Sequence, residues 1–312
     1  MHNLTILLSL KDKSEYTSAW IKNNIFSEFK YIVADGSLNN ENQKYFRNIN
    51  CSNLTYIRYE PDLTIKHYLK KLKNAYKRVE TKYVMACDND DYIFKKGLLN
   101  ILNEFNRNPE INLIQGNIGL VKKILNKYKK INKVYISYKF QNDNNKLSIL
   151  RKSTLNYNPL WYCVSETKIQ REIFDLILDS GTDNIYVVEE FQTFLSLLFS
   201  EFKFVDDYYY CRLVDQKNSS HTELFNKYQL DCVFNDKFNK SIQTFISFIS
   251  LKLKINQGDL FYLFRSYYLS KFEKNNLSLK MIIKKYIKFK LENFFVLLNK
   301  GIKNEKYLSN LF

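Results

Sequence analysis

Along the N-terminal third of the chain, apolar positions alternate between two rhythms. Asn3 to Ser9 (NLTILLS) is a continuous apolar run of strand length, and Ser14 to Ile25 then spaces Tyr16, Ala19, Trp20 and Ile25 at helical intervals. The unit recurs. Tyr31 to Ala34 reads as a strand ending in Asp35-Gly36-Ser37, and Leu54 to Tyr59 alternates as another. Leu63 to Val79 places Leu69, Leu72, Ala75 and Tyr76 on one helical face. Tyr83 to Cys87 (YVMAC) supplies a fourth buried strand closed by an acidic loop, and Leu98 to Phe105 another helix. Strands alternating with helices predict an α/β fold: a mainly parallel, Rossmann-like sheet with helical crossovers.

Beyond this the rhythm loosens. Leu113 to Ile118 and Val134 to Phe140 are strand-like, Thr167 to Leu178 and Glu189 to Phe199 helical, and Phe204 to Val214, with three consecutive tyrosines, strand-like. From about Ser241 only long helical patterns remain, broken near Gly258 and at Asn275 to Ser278. The expected organisation is therefore an α/β unit over 1–240 and a helical portion over 241–312.

In open parallel sheets, ligands bind outside the carboxyl ends of the strands. Those ends are Ser9 to Lys11, Asp35 to Ser37 and Asp88 to Asp91, three polar loops expected to converge on one rim. In an extended segment, side chains two apart share a side, so Asp88 and Asp90 can hold one ligand. Paired carboxylates suit Mg²⁺ or Mn²⁺, which prefer oxygen and complete their shells with phosphates. An EF-hand is excluded, because Ile93 stands where the loop glycine belongs and Leu99 where the bidentate Glu belongs. A solvated acidic turn is the alternative. At the neighbouring rim position, Asp35 can accept a hydrogen bond from a base or ribose hydroxyl while Gly36 permits close backbone approach, although the same residues favour an ordinary turn.

Composition narrows the classes. The 312 residues are 45% hydrophobic and 16% aromatic with 7 Gly and 3 Pro, which fits a globular chain without a repeat architecture. Five widely spaced cysteines contain no C-x-x-C pair, so neither a disulfide framework nor a zinc knuckle is indicated. Met1 to Leu10 reads as a buried strand rather than a signal peptide, and no run of 18 uncharged apolar residues occurs, so the expectation is a cytoplasmic protein. The formal charge of +16 suits an anionic partner or a solvated basic surface. Neither G-x-x-x-x-G-K-S/T nor G-x-G-x-x-G is present, which counts against kinases and dehydrogenases.

The order of apolar strand, Val33-Ala34-Asp35-Gly36-Ser37 and Met85-Ala86-Cys87-Asp88-Asn89-Asp90-Asp91 resembles the GT-A glycosyltransferases of the family-2 type. More narrowly, it resembles a bacterial surface-polysaccharide subgroup with an ADGS turn and a DDD or DND metal motif. The likeness runs in motif order over about residues 3 to 215. It implies a nucleotide-sugar half over about 1–120 and an acceptor half over about 121–240. Asp35 would then contact the base, with Ser9, Ser37 and Asn89 along the donor. Asp88 and Asp90 would hold Mn²⁺ or Mg²⁺. The resemblance further points to Glu190, with Glu189 as its alternate, in Val187-Val188-Glu189-Glu190-Phe191 as the carboxylate that takes the acceptor proton; two acids favoured by a helix N-terminus are the plain alternative. Trp161 and Tyr162 fall in a segment similar to the acceptor loop, and His221 where a third metal ligand or diphosphate contact can sit; core packing and a structural histidine are the alternatives.

The function expected is metal-dependent, inverting transfer of one sugar from a nucleotide-sugar donor to a glycan or lipid-linked acceptor in surface-polysaccharide synthesis. No nucleic-acid partner is expected. The Q-x-x-R-W signature of processive synthases is missing. From Ser241 to Phe312, 12 Lys and one Arg face four acidic residues, and in Met281 to Leu298 apolar and basic positions interleave. That pattern suits either an anionic membrane surface or packing on the protein itself. Two rivals remain: a sugar nucleotidyltransferase, which would ordinarily carry glycine in the loop that here reads Ser9-Leu10-Lys11-Asp12, and a basic nucleic-acid-binding protein with salt-dependent affinity.

Overall fold

The computed structural model describes residues 3–124, 127–131, 145–155, 157–215 and 236–274. The chain runs β1 (Leu4–Leu10), α1 (Ser14–Asn24), β2 (Lys30–Asp35), α2 (Glu41–Arg47), β3 (Leu54–Arg58), α3 (Ile65–Lys77), β4 (Tyr83–Cys87), β5 (Tyr92–Ile93) and α4 (Lys95–Arg107). It continues through β6 (Leu113–Ile124), β7 (Lys127–Ile131), α5 (Lys146–Leu155), β8 (Val164–Glu166), α6 (Thr167–Asp179), α7 (Ile185–Phe199) and β9 (Phe202–Asp215). The helices α8 (Asp236–Leu253) and α9 (Gln257–Lys274) follow. The strand pattern at Val134 to Phe140 and the helical pattern at Met281 to Leu298 lie outside the described residues.

Among the described residues, all the strands join one sheet in the order β3-β2-β1-β4-β8-β6-β9-β5, with β7 paired to β6. The α/β class is as expected, and its first half is the expected parallel array: β3, β2, β1 and β4 pair in parallel, each reached through a helix. The second half is mixed. There β8 is antiparallel to both β4 and β6, β5 is antiparallel to β9, and β6 and β9 run parallel. Parallel pairing therefore dominates only the first half, and the strands that break it, three-residue β8 and two-residue β5, are too short to leave a periodic signal in the sequence.

Strand alternation sends neighbouring residues to opposite faces, and each face is covered by helices. Leu7, Ile32, Ala34 and Val84 face a cluster built with α3, α6, α7, α8 and α9. Ile6, Leu8, Tyr31, Val33, Met85 and Cys87 face Trp20 of α1, Phe46 of α2 and Leu98, Ile101 and Phe105 of α4. Local signals fix the helices: Thr64 caps α3 by accepting from His67 N at 3.2 Å, and Asn184 caps α7 by accepting from Tyr186 N at 3.0 Å. The anticipated α3 stripe of Leu69, Leu72, Ala75 and Tyr76 is buried.

The two C-terminal helices share the first cluster: Ile242, Phe245, Ile246 and Ile249 of α8 and Leu260, Phe264, Tyr267 and Tyr268 of α9 pack with Phe191 and Phe194 of α7. The rings of Phe191 and Phe245 stack with centroids 3.7 Å apart. No helix among the described residues is long and apolar enough to cross a membrane.

Candidate active site

The carboxyl ends of β1, β2 and β4 form one rim, because the three strands are parallel and adjacent. A turn closes β4, with Asp91 N donating to Asp88 O at 3.3 Å, and it gathers three carboxylates. Oxygens from Asp88, Asp90 and Asp91 all lie within 4.8 Å of one another. Like charges this close repel, and protons, a cation or hydrogen-bond donors are needed to offset the repulsion.

Each carboxylate has a different environment. Asp88 is partly buried and its Oδ2 accepts from the Tyr162 hydroxyl at 2.6 Å. Burial, followed by the nearby Asp90 charge, pushes its carboxyl upward from the usual range. Asp90 pairs with Lys13 Nζ at 3.0 Å, and the aspartate side chain stays 19% exposed. Asp91 is buried, accepting from Tyr210 OH at 2.7 Å and from Leu213 N at 2.9 Å; burial raises its carboxyl well above the usual range. Asp88 and Asp90 thus face the rim, whereas Asp91 anchors the turn to β9.

The acidic turn is held from the mixed half of the sheet. Tyr162 stacks on Tyr210 at 4.6 Å between centroids, and the Arg212 guanidinium lies 5.1 Å from the Tyr162 ring. Burial pushes both phenols well up, so each remains a protonated donor toward its carboxylate. Tyr162 is 6% exposed. Its ring is committed to Tyr210 and its hydroxyl to Asp88, the surroundings of the core-packing alternative. Trp161 is partly buried and packs edge-on against Phe174 at 5.8 Å, bridging the two apolar clusters. Gly97 and β9 fit together backbone to backbone: a Cβ at Gly97 would stand 2.1 Å from Tyr208 O.

The other expected donor contacts are gathered at this rim, with their polar atoms turned into the protein. Asp35 is fully buried; Oδ1 accepts from Ser37 N at 2.8 Å, while Oδ2 accepts from the Tyr56 hydroxyl and pairs with Arg58 Nη1 at 2.9 Å. Ser37 Oγ accepts from Asp12 N at 2.8 Å and from Asn42 Nδ2 at 2.9 Å, tying the β1 and β2 loops together. Asn89 Nδ2 donates to Lys13 O at 2.9 Å and to Thr17 Oγ1 at 3.0 Å. Ser9 is partly buried. Asp12 and Lys13 both hold φ near +55°, a conformation costly for residues with a Cβ, and from it Lys13 pairs with Asp90.

Beneath the rim lies a pair that periodicity did not single out. Lys71 of α3 and Asp62 form an ion pair with each side chain 1% exposed, and Lys71 Nζ also donates to Leu10 O at 2.8 Å. Burial raises the Asp62 carboxyl and lowers the Lys71 ammonium, so desolvation outweighs mutual attraction on both sides. The Asp62 carboxylate lies over Gly36, where an added Cβ would meet it at 2.5 Å. Gly36 is thus required by close approach rather than by φ. The available signal was a lysine beside an apolar helical stripe, which reads ordinarily as a solvated edge.

The two α7 acids differ in their surroundings. The helix begins at Ile185, so Glu189 and Glu190 stand in its second turn rather than at its start. Glu190 is 2% exposed, and its two oxygens accept from Tyr267 OH at 3.1 Å and Tyr268 OH at 2.8 Å. Glu189 is partly buried. His221 lies outside the described residues.

No protein-family model and no curated protein matches the chain. Among solved structures, it is similar to S. aureus TarS 1-349, at 15% identity over 82% of this chain and 73% of that one, with a TM-score of 0.45. The same protein in complex with UDP aligns at 15% identity over 89% and 76%, with a TM-score of 0.45. In complex with UDP-GlcNAc it aligns at 14% identity over 85% and 80%, with a TM-score of 0.47.

Proposed function

We propose that the chain is a metal-dependent glycosyltransferase of the GT-A type, moving one sugar from a nucleotide-sugar donor to a glycan or lipid-linked acceptor with inversion, in surface-polysaccharide synthesis. The observation that carries the reading is the set of three carboxylates within 4.8 Å at the carboxyl end of β4, on a rim shared with the β1 and β2 loops. The donor set fits a hard cation: carboxylate oxygens alone, two of them on partly exposed side chains.

Asp88 and Asp90 would hold Mn²⁺ or Mg²⁺, which supplies positive charge against a departing diphosphate. Asp91, Tyr210 and Tyr162 keep the turn in place, limiting the reorganisation needed when a donor arrives. Lys13, 3.0 Å from Asp90, partly neutralises the cluster and is near enough to contact the diphosphate. Of the two α7 acids, Glu189 is the better proton acceptor, since Glu190 is enclosed by phenols. The chain from 275 onward, with eight Lys and two Glu, suits contact with an anionic membrane surface near a lipid-linked acceptor.

The test is a thermal-shift screen of nucleotide sugars with and without Mn²⁺, repeated on Asp90→Ala. Stabilisation by one donor that requires Mn²⁺ and disappears in the variant is the expected result. Stabilisation independent of metal and retained in Asp90→Ala would overturn the reading.

A further inference from the structure

We infer that Glu190 is a positioning residue through which the C-terminal helix α9 sets the tyrosine that holds Asp88. The inference rests on the metal site proposed above and concerns how this chain keeps that site in shape. It assigns a task to two features otherwise unexplained: a carboxylate inside an aromatic cluster, and a C-terminal helix remote in sequence from every rim loop.

The connection is continuous in the structure. On α9, the hydroxyls of Tyr267 and Tyr268 donate to the two Glu190 oxygens at 3.1 and 2.8 Å, and the Tyr267 ring also touches Phe194 and Tyr157 with centroids 5.4 and 6.0 Å apart. One turn beyond Glu190, Thr193 Oγ1 accepts from Leu160 N at 3.1 Å, and Gln192 Nε2 donates to Leu160 O at 3.4 Å. Leu160 opens the turn that carries Tyr162, closed by Cys163 N donating to Leu160 O at 3.1 Å. Tyr162 then donates to Asp88 at 2.6 Å, and its own carbonyl is fixed by Tyr209 OH at 2.9 Å.

The links are hydrogen bonds joined by the α7 backbone between Glu190 and Thr193 and by the turn between Leu160 and Tyr162, and Glu190, Gln192, Thr193, Leu160 and Tyr162 are all buried, so a shift in one register moves the next rather than dissipating into solvent. A carboxylate inside an apolar cluster requires donors, and the two phenols come from α9. With these bonds removed, α7 is free to rotate or slide by a fraction of an ångström, and the Leu160 turn follows it. The outer partner of a metal-ligating carboxylate tunes affinity for the ion, so the effect surfaces at Asp88.

A double-mutant cycle on Mn²⁺ affinity, read by titration calorimetry on the full chain, tests this. Tyr162→Phe is expected to weaken Mn²⁺ binding about 10- to 100-fold. The pair Tyr267→Phe and Tyr268→Phe is expected to weaken it about 2- to 30-fold. All three together should be no weaker than Tyr162→Phe alone, because the α9 phenols act through that tyrosine. Glu190→Gln should weaken Mn²⁺ binding likewise while turnover stays within about tenfold. Tyr268→Phe alone serves if the double variant does not fold. Fully additive losses, or α9 variants that lower the melting temperature with Mn²⁺ affinity unchanged, overturn the inference. So does a Glu190→Gln enzyme with intact Mn²⁺ affinity and no turnover, which would make Glu190 the base. Should Asp88→Ala leave Mn²⁺ binding unchanged, the metal assignment itself has failed; should it abolish binding while the cycle is additive, only the relay falls.

Discussion

The two halves of the sheet are built by different rules. In the half made of β3, β2, β1 and β4, each strand pairs with one that the chain reaches through a single helix or, for β1 and β4, three βα units later. In the half made of β8, β6, β9 and β5, the main pairing joins Leu113 to Phe202 and Lys123 to Asp215, some 90 positions apart, and a register shift interrupts it between Gln115 and Ile118. The acidic turn sits on the seam. Its backbone belongs to the regular half, as does Lys13, which pairs with Asp90, while the groups that hold Asp88 and Asp91, Tyr162, Tyr210 and Leu213 N, belong to the irregular one. Local rules place the charges, and long-range packing decides which of them remain available.

The largest effect is expected at the seam itself. Asp88→Ala should lower turnover by about 10²- to 10³-fold in a donor-hydrolysis or transfer assay, with the melting temperature nearly unchanged. Comparable activity with and without the carboxylate would separate the seam from the chemistry. Within the regular half, Lys71→Met leaves Asp62 buried without its cation and should cost about 3–5 kcal/mol in urea unfolding, whereas Asp62→Asn combined with Lys71→Met should recover most of that loss. A double variant as unstable as the single one would show that the pair does more than satisfy its own charges.

In the irregular half, Gly97→Ala drives a Cβ into the Tyr208 carbonyl and should cost about 1–3 kcal/mol or more, read by denaturant midpoint. The relevant atom is strand backbone, so relaxation is confined. Gly36→Ala in the regular half meets the Asp62 side chain instead and should cost less if that carboxylate can swing away. A reversed order would mean that the Asp62–Lys71 pair is stiffer than β9. The smallest change is Thr64→Ala, which removes the α3 cap and should cost about 1 kcal/mol by thermal unfolding, without altering Mn²⁺ affinity.

Legibility follows the same division. The strands ending at Leu10, Asp35, Arg58 and Cys87, with α1, α3 and α4, were readable because continuous or periodic apolar runs report burial directly. Missed were α2, where Phe46 is the sole buried apolar side chain, and α5, which buries Ser153 and Thr154 beside Ile149 and Leu150. The spacing of Asp88 and Asp90 and their place at a strand end were legible, and so was an aromatic strand at Phe204 to Val214. That Tyr210 would secure Asp91 and Tyr162 would secure Asp88 was not, since those partners are 119 and 74 positions apart. Nor did any local pattern show Asp35 saturated by Ser37, Tyr56 and Arg58, or Glu190 enclosed by α9.

By itself the sequence determined the four strands of the first half, the helices α1, α3 and α4 and the presence of carboxylates at the strand tips, because burial periodicity and turn chemistry act over a few residues. Tertiary structure alone decided which carboxylates face the rim and which serve as buried anchors. Hydrogen-bond saturation and desolvation depend on atoms brought together from distant parts of the chain, and no short window of residues contains them.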